Sequence, residues 1–354
     1  MRGGPGTSVR RRLALLVAMA IAMAVVALHR FGAAQPPRAS GAPSAALSAA
    51  AKPPATPAPS GAEAVTVGVY VNQVHELSLK ENFFVVDAYV WFRWSDDAYK
   101  PYETFSIQDG RIESKRDVIR KTLPDGTFYA YVRIVAKITS FWDISAFPLD
   151  NHGLTIVVEE EDMEDHVLYY RADRENSGAD PNIRLPGWQL DQATVVAGTS
   201  IYKSNFGDVS LPTGNESRYS NVEFSLSFKR RGWTYFFKLF FGVWVAAAIA
   251  FLSFFIKPTN VDPRFGLGVG ALFAAIASLY VVTSSLPDTN VITLADSLHL
   301  AAFAAIFLAV AQSTWSLHMC EHDHNVASKR FDRACAAIFP IVYVAINAWL
   351  VARR

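Results

Sequence analysis

The sequence predicts an all-β sandwich, exported to the extracellular or periplasmic side, followed by an all-α domain of four transmembrane helices. Three observations predict it. Short runs of alternating apolar and polar residues recur between turn residues from about Ala64 to Arg231. After Arg231 come four apolar stretches of about 18–25 residues, each long enough to cross a bilayer as a helix. An arginine-headed apolar segment at the start of the chain has the pattern of an export signal.

The elements follow in order. Residues 1–34 read as a signal peptide: Arg10, Arg11 and Arg12 precede the apolar run Leu13–Leu28, and Gly32-Ala33-Ala34 offers a cleavage site. His29 and Arg30 leave an uncleaved anchor as the alternative. Residues 35–63, rich in Ala, Pro and Ser, cannot build a core and read as a disordered linker. Residues 64–231 carry the strands "VTVGVYVNQV", "FFVVDAYVWFRW", "FYAYVRIVAKI", "LTIVV", "WQLDQATVV" and "SNVEFSLSF", punctuated by Lys80-Glu81-Asn82, Pro124-Asp125-Gly126 and Pro181-Asn182. Many short strands with no convincing helix among them argue a sandwich.

Residues 232–354 hold the spans Tyr235–Ile256, Phe265–Leu286, Leu294–Leu317 and Ala334–Val351, the last interrupted by Pro340. Trp233, Tyr235, Trp315 and Trp349 lie near their ends, as interfacial aromatics do. An exported sandwich puts the turn His318–Arg333 inside, where Lys329, Arg330 and Arg333 satisfy the positive-inside rule. Lys229-Arg230-Arg231 fall on the opposite side.

Composition narrows the function. The chain has 354 residues, a formal net charge of +1 and 51% hydrophobic residues. This balance gives no reason to expect nucleic acid or a polybasic anchor. Cys320 and Cys335 are too few for a disulfide framework. No nucleophile–base constellation, phosphate-binding loop or dinucleotide fingerprint falls on suitable structure, so no enzyme is expected.

One loop stands out. Phe147-Pro148-Leu149-Asp150 interrupts a strand-like stretch, since proline cannot donate to a sheet ladder. Its tip is apolar where polar turn residues would be ordinary. It either plugs the open end of the sandwich or is pressed against a membrane.

With Trp94-Ser95-Asp96 at the end of an early strand, "SRYSNVEFSLSFKRRGWTYF" at the junction with the first span, and Leu286-Pro287 at the end of the second, this order of motifs resembles the pentameric ligand-gated ion channels. The similarity is to bacterial members that lack the Cys-loop disulfide, and it runs from about Val65 to the C-terminus. It implies a homo-oligomer, expected to be a pentamer, in the bacterial inner membrane, gated by a ligand bound between periplasmic sandwiches. It also implies a gating junction of Phe147, Pro148, Asp150, Arg230, Arg231 and Pro287, in which the loop rests on helix ends and lipid headgroups and Asp150 pairs with Arg230 or Arg231.

The second span supplies the expected pore lining. Helical spacing, and the alignment of Leu286-Pro287, give a stripe of Asp262, Gly266, Gly270, Phe273, Ala277, Tyr280 and Ser284. A ring of Asp262 at the inner mouth would attract cations, or Asp262 serves the helix N-terminus. Phe273 forms either a dewetting gate or an ordinary packing surface. Gly266 and Gly270 stand where the family usually has Ser or Thr; they either widen the lumen or let helices close it.

For the ligand, the resemblance implies an aromatic box that holds an amine by cation–π attraction. Tyr202, Phe206 and Tyr219 would form one side, with Trp91 and Arg93 across the subunit interface. The chain has no counterpart of the family's Trp-x-Pro segment. The run Glu159-Glu160-Glu161-Asp162 is a candidate for calcium, for an amine or for protons, or is a solvated acidic loop. No other cofactor is expected. Cys320, Glu321, His322, Asp323 and His324 fit no zinc spacing, and Asp296 and His299 read as interfacial.

The expected function is a pentameric, cation-permeable, ligand-gated channel whose partners are the bilayer, permeant inorganic ions and a small molecule, proton or divalent cation. The alternative is a non-conducting membrane-anchored sensor of the same fold.

Overall fold

The computed structural model describes residues 61–207, 216–231 and 233–353. The expected signal peptide, and the expected linker except its last residues, lie outside the described residues. The chain forms two compact units: one of strands, and one that joins Ile144–Leu149 to the helical residues from Trp233 onward.

The strand unit is a two-sheet sandwich. The strands are β1 (Glu63–Ser78), β2 (Phe83–Trp94), β3 (Phe105–Ile107), β4 (Gly110–Thr122), β5 (Phe128–Thr139), β6 (Asn151–Glu164), β7 (Leu168–Ala172), β8 (Gly178–Ala179), β9 (Trp188–Tyr202) and β10 (Ser217–Arg230). One sheet has the order β4-β5-β2-β1-β7, with β8 also on β1; the other has β3-β6-β10-β9. A single turn of helix, α1 (Pro101–Thr104), precedes β3, and its proline suits the first helical turn.

Alternation builds the core. Val65, Val67, Val69 and Val71 of β1, Val86, Ala88, Val90 and Phe92 of β2, and Ala130, Val132, Ile134 and Ala136 of β5 are fully buried on one face. Leu154, Ile156 and Val158 of β6, with Val222, Phe224, Leu226 and Phe228 of β10, answer them from the second sheet. The turn between β1 and β2 places Asn82 at φ 55°, a left-handed position that asparagine tolerates.

The second unit contains α2 (Thr234–Leu252), continued by a 3₁₀ turn Ser253–Phe255, then α3 (Val261–Thr283), α4 (Leu294–Glu321) and α5 (Asn325–Ala352). All four are long and apolar enough to cross a membrane. Two sequence expectations are corrected here. The loop expected over His318–Arg333 shrinks to His322–His324, because α4 and α5 each extend through their polar ends. Nor does Pro340 interrupt the last span: α5 runs through it unbroken. A proline inside a membrane helix is tolerated where neighbouring groups re-satisfy the freed carbonyl.

Gly268 sets the spacing of α3 and α4, since a Cβ there would overlap Val310. The two glycines of the expected stripe, Gly266 and Gly270, face open space instead.

Candidate functional site

Three groups of side chains are candidates; the first lies in the helical unit, the second in the strand unit, and the expected junction residues divide between the two. In the helical unit, α3 sorts its residues by face. Arg264, Gly268, Ala271, Ala275 and Val282 are buried against the other helices. Asp262, Gly266, Gly270, Phe273, Ala277, Tyr280 and Ser284 are all exposed. The whole expected stripe therefore lies on the face that this chain does not cover. Asn260 precedes the helix without a side-chain cap, and Asp262 sits in the first turn. It is not the cap itself, but a carboxylate there is favourable to the helix dipole.

The second group is in the four-stranded sheet. Tyr202 of β9 and Tyr219 of β10 face each other with ring centroids 5.9 Å apart, and Phe206 completes the cluster at 5.6 Å and 6.4 Å. Beside them, Tyr202 Oη donates to Glu159 Oε1 at 2.7 Å. Glu159 is buried, yet its Oε2 accepts no hydrogen bond among the described residues. Burial, then this bond to Glu159, pushes the Tyr202 phenol up to about 12.

The acidic run is not the loop that the sequence suggests. It is the end of β6, where the pairing to β10 bulges between Glu159 and Glu164. Glu160 turns into the sandwich, accepting from Thr104 Oγ1 and Tyr170 Oη at 2.9 Å each. Burial raises its pKa, partly offset by those hydrogen bonds. Glu161 and Asp162 are exposed. The four carboxylates thus diverge, and among the described residues no group of three or more His, Cys, Asp or Glu is placed to hold a metal ion. The calcium reading of Glu159, Glu160, Glu161 and Asp162 does not fit this geometry.

Trp91 and Arg93 sit on the other sheet, in an open cleft of about 430 Å³ with Thr66, Lys121, Tyr129, Asp173 and Asn176. Trp91 Nε1 donates to Asp173 Oδ2 at 3.0 Å. The indole lies across Gly68, its partner on β1, where a Cβ would overlap the ring. A single chain therefore keeps Trp91 and Arg93 apart from the Tyr202, Phe206 and Tyr219 cluster, on different sheets.

The third group is built on Asp150. Arg230 Nε donates to Asp150 Oδ1 at 2.9 Å, its Nη2 approaches Oδ2 at 3.3 Å, and His152 Nε2 lies 2.6 Å from that same oxygen. The His152 ring sits 5.1 Å from both Trp142 and Trp188, and the Arg230 guanidinium stacks 4.1 Å over Trp188. Burial pushes the Asp150 carboxyl up, but the hydrogen bonds from His152 and Arg230 outweigh it and hold it below its ordinary value. Of the two expected partners, Arg230 takes the carboxylate; Arg231 is exposed, its backbone N–H on Gly187 O at 2.7 Å. In the helical unit, Phe147 and Pro148 are buried, with Phe147 edge-on to Tyr235 at 6.2 Å. Ser145 O accepts from Leu294 N at 2.9 Å. Pro287 is half-buried after α3.

Sequence reasoning missed His152, although two residues along a strand from Asp150 is the same face. It also missed the buried pair of Arg264 and Asp332. Asp296 and His299 are not interfacial in the sense expected. Asp296 closes a capping box with Thr293. His299 is fully buried between Ser278 Oγ at 3.0 Å and Ala295 O at 2.9 Å.

No protein-family model matches the chain. It is 23% identical over 312 residues to the proton-gated ion channel of Gloeobacter violaceus, an alignment that covers 82% of this chain and 84% of that one. Those residues take in both the sandwich and the membrane helices.

The chain is homologous to the pentameric ligand-gated ion channels.

Mammalian members are also similar: the gamma-aminobutyric acid receptor subunits rho-3 of Rattus norvegicus, 21% identical over 222 residues, and rho-2 of Bos taurus, 23% over 280. These alignments cover 62% and 71% of this chain but only 45% and 58% of the receptor subunits, so the chain spans about half their length. This homology and the four spans make it a multi-pass membrane protein with an extracytoplasmic N-terminal domain. Its relatives are ion channels, not enzymes.

Proposed function

We propose that the protein is a homopentameric, cation-permeable channel of the bacterial cell membrane, opened by a small cationic ligand bound between sandwiches of adjacent copies. The observation that carries this reading is the division of α3: every residue of the stripe from Asp262 to Ser284 is exposed, while the opposite face is buried in the helical unit. An apolar helix face interrupted by a carboxylate at one end and hydroxyls at the other suits a shared aqueous axis better than lipid.

Glu159 supports this ligand class. Its unpartnered buried oxygen, beside three aromatic rings, favours a group that brings donors and positive charge. The relatives include a proton-gated channel and receptors for gamma-aminobutyric acid, a zwitterion that carries an ammonium group. Trp91 and Arg93 of the neighbouring copy would close the far wall.

Planar-bilayer recording from purified protein tests both parts. Amines or acid should evoke current, and Asp262→Ala should abolish cation preference. Glu159→Gln should raise the half-maximal amine concentration about tenfold, the worth of one charge-assisted contact. Phe273 and Tyr280, 68% and 73% exposed on the stripe, favour a second reading, a lining too bulky to conduct. Silence under every amine and pH would support it.

A further inference from the structure

Arg264 lies two residues beyond Asp262, and at about 100° per residue its side chain leaves α3 on the opposite side. It is 1% exposed. Its Nη1 donates to Asp332 Oδ2 at 3.0 Å and to Ile256 O at 2.9 Å; its Nη2 donates to Asp332 Oδ1 at 2.8 Å and reaches Gln312 Oε1 at 3.5 Å. Gln312 Nε2 donates in turn to Asp332 Oδ1 at 2.7 Å, bracing the carboxylate. Nε of Arg264 finds no acceptor among the described residues. The cluster draws on all four membrane helices: Ile256 just after α2, Arg264 of α3, Gln312 of α4 and Asp332 of α5.

Burying this pair costs free energy that an apolar contact would not. Its electrostatic effect is definite, however. Each α3 N-terminus presents roughly half a positive charge to the inner mouth. An arginine free in the first turn would add a full charge to that and outweigh Asp262. Paired inside the helices, Arg264 adds almost nothing, and Asp262 is left to set the sign of the field.

We propose that Asp332, on the outermost-numbered helix and remote from the stripe, is a positioning residue for ion selectivity: it holds the Arg264 charge off the axis so that Asp262 governs the inner mouth. This rests on the reading of α3 as the pore lining.

Reversal potentials in asymmetric potassium chloride test it. Asp332→Asn should lower the potassium-to-chloride permeability ratio about tenfold or more by freeing Arg264. Gln312→Leu, a milder loosening of the same carboxylate, should move the ratio the same way by less. The double variant Arg264→Gln/Asp332→Asn should return the wild-type ratio, which a merely structural role would not. An unchanged ratio in Asp332→Asn and Gln312→Leu, or no return in the double variant, overturns the proposal. A second readout needs no current. In proteoliposomes, a water-soluble arginine-directed dicarbonyl should leave Arg264 unmodified in the wild type and modify it in Asp332→Asn or Gln312→Leu, read by peptide mass spectrometry. Absence of current with this labelling pattern sinks the pore reading while keeping Arg264 caged by Asp332; labelling of wild-type Arg264 sinks the cage itself.

Discussion

Asp150 shows how much one buried carboxylate can organise. It holds Arg230 and His152 at once, and both its oxygens are used. Removing Arg230 leaves that carboxylate with half its partners, so Arg230→Gln should destabilise the protein by about 3 kcal/mol. Thermal unfolding of the detergent-solubilised chain would measure it. The pH dependence has a definite sign. The Asp150 pKa is lowered in the folded state, so its stabilisation is present above the ordinary carboxylate value and is lost as pH falls through the lowered one. The gap in melting temperature between wild type and Asp150→Asn should therefore close in acid. Glu160 has the reverse sign. Its folded pKa is raised, so its contribution is full below the ordinary carboxylate value and is lost as pH rises through the raised one. Glu160→Gln, which keeps acceptor and shape, should melt higher than wild type at neutral pH and no higher in acid. These pairings were only half legible in the sequence. Asp150 with Arg230 follows from the resemblance, whereas the burial of Glu160 depends on a bulge that no run of identical charges reveals.

Elements differ in how plainly they announce themselves. β1, β2, β5 and β10 alternate cleanly because one face of each is core, and their sequences say so. β4 does not. Its sequence, "GRIESKRDVIRKT", is polar throughout because it is an edge strand exposed along nearly its whole length. The start of α5 was hidden for a related reason: Lys329, Arg330 and Arg333 look like loop, but they are helical, with Asp332 buried among them. Pairings such as Arg264 with Asp332 join residues 68 apart and leave no local signal. Glycines at the elements' contacts are testable. Gly268→Leu should force α3 and α4 apart, with an overpacking cost of about 1–3 kcal/mol and a lower yield of folded protein. Gly266→Leu, facing open space, should fold normally and alter conduction if anything. Size-exclusion profiles and protease resistance of the two variants would separate the cases.

At the scale of the whole molecule, a single chain leaves two helices largely bare. The apolar windows of α3 and α5 are each only 22% buried, against 44% and 50% for those of α2 and α4. Lipid can cover α5, which exposes the aliphatic side chains Ile338, Ile341 and Val344 along its apolar stretch. The bare face of α3 carries Asp262, Tyr280 and Ser284, which other copies of α3 would cover better. Oxidative cross-linking distinguishes them: Tyr280→Cys should yield disulfide-linked dimers in the membrane, and Ile341→Cys should not. Both variants are made in a Cys320→Ser background, because Cys320 is half-buried whereas Cys335 is buried.

The grouping of Ile144–Leu149 with the helices, though strands flank it on both sides, has a practical cost. Anyone wishing to secrete the sandwich by stopping translation near residue 231 would release a molecule with a greasy thumb, Phe147 foremost, stripped of Tyr235 and Leu294. Such a fragment should clump or cling to detergent. Exchanging that thumb for a short hydrophilic bridge should be what makes it tractable.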